Sequence, residues 1–213
     1  MVKKIINIML CGVLVCSFIS CNENDTNLLN ESGIEDSQLS NYLNSDYFKS
    51  FMENYDLSMN NVLIKEYEKG AIEKKSVNYY TIPVFKNGNV YNKLIVCINR
   101  EGDCRALFED WSKDETDNWK IKVSTAKGEY IATLQTKSNE YNKLNTYIVD
   151  VAKVDSTVLS RGESWWQCTS RVYSTAKKAC SNDDKCNFAC DILDIANSSC
   201  TVSIAVAAAV VCL

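Results

Sequence analysis

No histidine occurs anywhere in the 213 residues. That absence removes Ser-His-Asp and Cys-His catalysis, and every His-ligated metal hydrolase with them. No Gly-x-Gly-x-x-Gly stretch and no phosphate-loop lysine motif is present, so the common nucleotide cradles are missing too. The cysteines never fall at the paired Cys-x-x-Cys spacing of zinc ribbons, which argues against a metal. Carboxylate-pair chemistry stays open, but no spacing among the 27 acids singles out a pair. No basic stripe runs along the chain, so nucleic acid is not an expected partner. There is no internal repeat. The expectation is a non-catalytic protein with no cofactor and no metal.

What is present begins with "MVKKIINIMLCGVLVCSFISCNENDTN". Lys3 and Lys4 form a positive start, Ile5 to Ile19 is almost wholly apolar, and small Ser20 precedes Cys21. This is the layout of a secretory signal over residues 1–20, and it is too short for a stable spanning helix. The "FISC" ending resembles a bacterial lipoprotein lipobox, with Phe18 where Leu is usual. The resemblance implies that Cys21 is acylated and becomes the new N-terminus; an ordinary secretory signal cut nearby is the alternative. The acidic, Asn-rich "CNEND" beyond the cleavage point looks like lipoproteins of Bacteroidota-type bacteria. There, acidic residues soon after the cysteine favour export to the outer face. The expected location is therefore the outer membrane or cell surface, with the membrane as partner through the N-terminal lipid. Several acyl chains make such an anchor stable where one would not.

The formal charge of −4 conceals a gradient. Eight acids and one base (Lys49) lie between Asn22 and Asn60, whereas the rest of the chain is nearly balanced. Residues 21–36 read as an acidic tether, extended by self-repulsion, that holds the folded part of the chain off the membrane.

Export decides how the eleven cysteines are read. Cys11 and Cys16 leave with the signal and Cys21 takes the lipid. Eight remain, an even number in an oxidising compartment, so a disulfide framework is the default. Cys97 and Cys104 flank a turn and are expected to close it as a cross-strand disulfide. Cys168, Cys180, Cys186, Cys190, Cys200 and Cys212 all lie near the C-terminus, and three further disulfides are expected among them, with the pairing open.

Residues 37–155 read as an α+β domain. Leu39, Leu43, Tyr47, Phe51 and Tyr55 recur every fourth residue, which is helical, and Asp36 or Ser37 is available as cap. From Tyr79 the period changes to two. "YYTIPVF" and "VYNKLIVCI" form a hairpin across Asn87-Gly88, "CRALFED" comes after a second turn, "WKIKVST" and "YIATLQTK" form another hairpin around Gly128, and "LNTYIVDVAKV" supplies a last strand. The prediction is an antiparallel meander of about six strands behind one or two helices. Tyr79, Tyr91, Trp111 and Trp119 are candidates for a sugar- or peptide-binding surface, although most sheet aromatics serve as packing pairs.

Residues 156–163 read as a linker in which Arg161, Gly162 and Glu163 are a possible processing point. Residues 164–213 then form a Cys-rich helical domain. Trp165, Cys168, Val172, Ala176 and Ala179 fall on one helix, Cys186 to Ala196 on a second, and "TVSIAVAAAVVCL" is apolar on every face. As a helix, thirteen residues reach only about 20 Å, short of a bilayer core. Such a helix needs cover on all sides and is expected at the centre of a small stapled knot.

This segment resembles halocin-type Cys-rich bacteriocins: Cys186-x3-Cys190, wide spacings to Cys200 and Cys212, and an Ala/Val-rich run between the last two. It departs from them in having six cysteines and fewer glycines. The resemblance implies a lipid-anchored precursor that presents or releases a disulfide-bonded, hydrophobic antimicrobial peptide, aimed at a receptor or membrane of a target bacterium. It also implies that the part before it serves as leader or immunity protein. The alternative is a non-catalytic surface lipoprotein with a structural or ligand-binding role.

Overall fold

The computed structural model describes residues 36–138, 144–153, 164–180 and 200–213. Two short helices open the described chain, α1 (Ser37–Leu43) and α2 (Asp46–Asn54). Asp36 caps α1, its carboxylate accepting from the amides of Gln38 and Leu39 at 3.0 and 3.2 Å. Ser45 caps α2 by accepting from the Phe48 amide, and so splits the four-residue stripe into two helices.

Seven antiparallel strands come next, in strict meander order: β1 (Glu68–Ile72), β2 (Val77–Lys86), β3 (Asn89–Asn99), β4 (Cys104–Lys113), β5 (Trp119–Thr125), β6 (Tyr130–Ser138) and β7 (Leu144–Val151). Asn87 and Gly88 both have positive φ, 52° and 75°, and join β2 to β3 in two residues. This is the primed turn that the Asn-Gly pair favours. β1 is the strand that sequence periodicity did not reveal. Gly70 faces Tyr79 across the β1–β2 ladder, and any Cβ there would fall inside the Tyr79 ring.

Both faces of the sheet are covered. On one, Leu39, Tyr42, Leu43, Phe48 and Phe51 of α1 and α2 are buried, as are Tyr80, Ile82, Leu94, Val96 and Phe108 of the strands. Phe108 lies 5.3 Å from Phe51 and 4.5 Å from Tyr55, centroid to centroid. On the other face lie two C-terminal helices, α3 (Trp165–Cys180) and α4 (Cys200–Val211). The class is α+β, a sheet between helical layers with a disulfide-stapled C-terminal helix pair.

The helix "TVSIAVAAAVV" is buried along most of its length but leaves Ala207 and Val211 exposed, and the sheet supplies much of its cover. Val202, Ala205, Val206, Ala208, Ala209 and Val210 share one apolar cluster with Tyr79, Ile95, Cys97, Leu107, Ile121, Val123, Ile131 and Leu134. The expected self-contained helical knot therefore gives way to a core shared with the sheet, and residues 34–213 form one compact unit. The physical reason is area. α4 has no polar side to leave exposed, and with α3 it covers the inner face of the sheet.

Candidate functional site

The seam between β4 and the C-terminal helices holds a buried carboxylate. Glu109 is fully buried, because it stands in phase with Leu107 and Trp111, the inward-facing residues of β4. Its Oε2 accepts from Trp111 Nε1 on its own strand and from Thr201 Oγ1 on α4, each at 3.0 Å. Its Oε1 has no hydrogen-bond partner among the described residues, nor have the buried hydroxyls of Ser170 and Tyr173 on α3. Burial pushes the Glu109 carboxyl above its ordinary value, against the opposing pull of Lys93, Trp111 and Thr201. Burial, and then the neighbouring Glu109, pushes the Tyr173 hydroxyl well up. Two further bonds tie α3 to the sheet: Trp166 Nε1 donates to the Tyr130 carbonyl at 2.8 Å, and Lys177 Nζ to the Val149 carbonyl at 2.6 Å.

α3 and α4 are also fastened to each other. Cys168 and Cys212 form a disulfide with a Cα separation of 5.8 Å, and Trp165 Nε1 donates to the Ala209 carbonyl. This is one of the pairings left open among the six C-terminal cysteines. Cys180 closes α3 and Cys200 opens α4. Their pairing lies outside the described residues, as do Cys186, Cys190, the helix expected over 186–196, the processing expected at Arg161–Glu163 and the lipidation expected at Cys21.

The expected Cys97–Cys104 disulfide is absent: both cysteines are free. The β3–β4 register pairs Cys104 with Ile98 and Cys97 with Arg105. A one-residue offset puts the two thiols on opposite faces of the sheet. Cys97 points into the core under α4 and is fully buried, which raises its thiol to about 12. Cys104 is half-buried on the α1 side.

At the far end of the same face, the rings of Tyr91, Trp111 and Trp119 meet. Tyr91 and Trp119 lie 4.9 Å apart, and Trp111 and Trp119 5.9 Å apart. Lys93 lies over Trp111 and Lys113 over Trp119. With the β2–β3 turn these rings line an open groove of about 400 Å³. Tyr91 is 54% exposed, while Trp111 and Trp119 are half-buried. Tyr79, the fourth aromatic candidate, is buried in the core instead. Buried Asn92 pins the β2–β3 hairpin that borders the groove: its Nδ2 donates to the carbonyls of Val84, Lys86 and Asn89, and its Oδ1 accepts from the Trp111 amide. Sequence reasoning passed over Glu109 and Asn92. The available signal for Glu109 was its phase with Leu107 and Trp111.

Among the described residues no cluster of metal-ligating side chains occurs, and no helix is long and apolar enough to cross a membrane. The chain matches no protein-family model, no curated protein and no solved structure.

Proposed function

We propose that the chain is an exported, lipid-anchored precursor, and that its sheet shelters a C-terminal helix pair whose release gives a bacteriocin-like antimicrobial peptide. One observation carries this reading. The disulfide Cys168–Cys212 joins α3 and α4 to each other, while among the described residues no disulfide joins them to the sheet. A single cut within 156–163 then leaves a cross-linked apolar module attached to the sheet only through non-covalent contacts. In this reading the sheet is a cover: it buries a helix that would be membrane-seeking or aggregation-prone if bare. No catalytic step is involved. Cys21 anchors the precursor, and the target is a receptor or membrane of a related bacterium.

The test is to cut purified protein at a protease site placed within 156–163 and apply it to a panel of related strains. Growth inhibition by the cut protein, with none by the uncut protein, supports the proposal. Equal inactivity of both across the panel, with the C-terminal module shown to be free of the sheet, removes it.

A second reading rests on the groove at Tyr91, Trp111 and Trp119. Aromatic faces beside amides and lysines suit a sugar or peptide ligand, as in a surface lipoprotein with a binding role. Alanine at Tyr91 and Trp119 should then abolish retention on a glycan or peptide array without lowering stability much. An array with no retained ligand for the parent protein removes it.

A further inference from the structure

We propose that Glu109 makes the docking of α3 and α4 on the sheet depend on pH, holding the helices closed in acid and loosening them as pH rises. This stands on the docked seam itself, not on an antimicrobial role, and holds whether or not a fragment is ever released.

The geometry is that of a carboxyl caught between layers. Glu109 belongs to the sheet, Thr201 to α4, and Tyr173 and Ser170 to α3. Undocking returns the carboxyl to water; docking removes it from water and leaves one of its oxygens without a described partner. The charged form therefore suffers most from docking. Its neighbours, Lys93 and the donors Trp111 and Thr201, offset this only in part. Lys93 faces Glu109 directly across the β3–β4 ladder and is the main group favouring its ionisation, yet burial outweighs it. On β5 the register neighbour is the apolar Val123. α4 carries no charged residue. On α3, Tyr173 and Ser170 offer hydroxyls, Lys177 is engaged at the Val149 carbonyl on β7, and Arg171 and Lys178 are exposed. Tyr173 itself stays neutral in this range, since burial holds its ionisation far higher.

The sign follows from linkage. In water the carboxyl titrates near its ordinary 4.5, and in the docked state above it. Docking is therefore at full strength below 4.5 and weakens as pH rises through the docked value. Within that window each pH unit shifts the docked-to-undocked ratio by up to about tenfold. Above it the loss is constant.

Cys97 supplies the readout, because it lies in the core beneath α4 and reacts only when the seam opens. The experiment uses the full mature chain with Cys104→Ser, with and without Glu109→Gln, and locates labelled Cys97 by peptide mapping. Comparing the two proteins at each pH cancels the thiol's own ionisation. At pH 8 the protein that keeps Glu109 should label about threefold faster or more, and at pH 4.5 the two should label alike. A ratio unchanged between the two pH values, or faster labelling of the Glu109→Gln variant at pH 8, overturns the proposal. If Glu109→Gln prevents folding, the carboxyl-carbon NMR titration of Glu109 in the parent protein decides. Titration above 4.5 supports the proposal, and titration at or below 4.5 overturns it.

Discussion

Thr201 donates to Glu109 across 92 residues of chain, and the 3.0 Å bond between them ties α4 to a buried acid of the sheet. It marks where two regions that read as separate in sequence become one body. Ala and Val side chains supply the area of that junction, and Glu109 supplies its polarity.

Breaking the Cys168–Cys212 bond should loosen the helices without unfolding the meander. A bridge spanning 44 residues contributes about 4 kcal/mol in the chain-entropy description. Cys212→Ser should therefore lower the melting temperature and sharply raise hydrogen exchange in α3 and α4, with the centres of β3 and β4 changing less. Uniform loss of protection across sheet and helices would show that the two layers unfold only together.

Cys97 and Cys104 should both label as free thiols in denatured, unreduced protein. In the native state Cys104 should react first, because burial raises the Cys97 thiol to about 12 and hides it under α4. A peptide map showing the two joined would contradict the register.

Much of the meander was legible because its strands alternate and its turns carry Asn87-Gly88 and Gly128, which the positive φ angles require. β1 was hidden, since "EKGAI" has neither alternation nor a run of branched side chains and is held largely by its pairing with β2. The cysteine pairing failed for a subtler reason. Proximity in a hairpin is readable from spacing, but facing depends on a register that one residue reverses, and Cys104 opposes Ile98. Glu109 was passed over because a glutamate beside Asp110 looks solvent-facing until the helices that bury it are in place. The apolar character of α4 was plain in sequence; its cover was not, because nothing in "TVSIAVAAAVV" says whether a sheet or another helix lies above it.

Asn92 should be hard to replace. Its amide pins three carbonyls of the β2–β3 hairpin and accepts the Trp111 amide. Asn92→Leu leaves those groups unpaired in a buried place and should cost about 1–3 kcal/mol for each that finds no new partner. Urea denaturation measures this. A change below about 0.5 kcal/mol would mean that water or repacking satisfies them.

Asp36 should matter at neutral pH and fade in acid. Burial alone would raise its carboxyl, but Lys69, the Leu39 amide and Tyr80 together hold it below its ordinary value. Its contribution is thus present above about 3.8 and lost as pH falls through the lowered folded value. Asp36→Ala should cost about 1 kcal/mol at pH 7, as helix caps do, and progressively less toward pH 2. A cost independent of pH would assign the effect to packing.

Intact-mass measurement of membrane-bound material and spent medium from the producing cells bears most directly on the precursor reading. The expected result is lipid-modified protein beginning at Cys21 on the cells. Beside it in the medium should appear a fragment that starts close to Arg161–Glu163, includes Cys168 and Cys212 and retains the disulfide between them. Full-length protein alone, on cells and in medium through every growth phase, would contradict it.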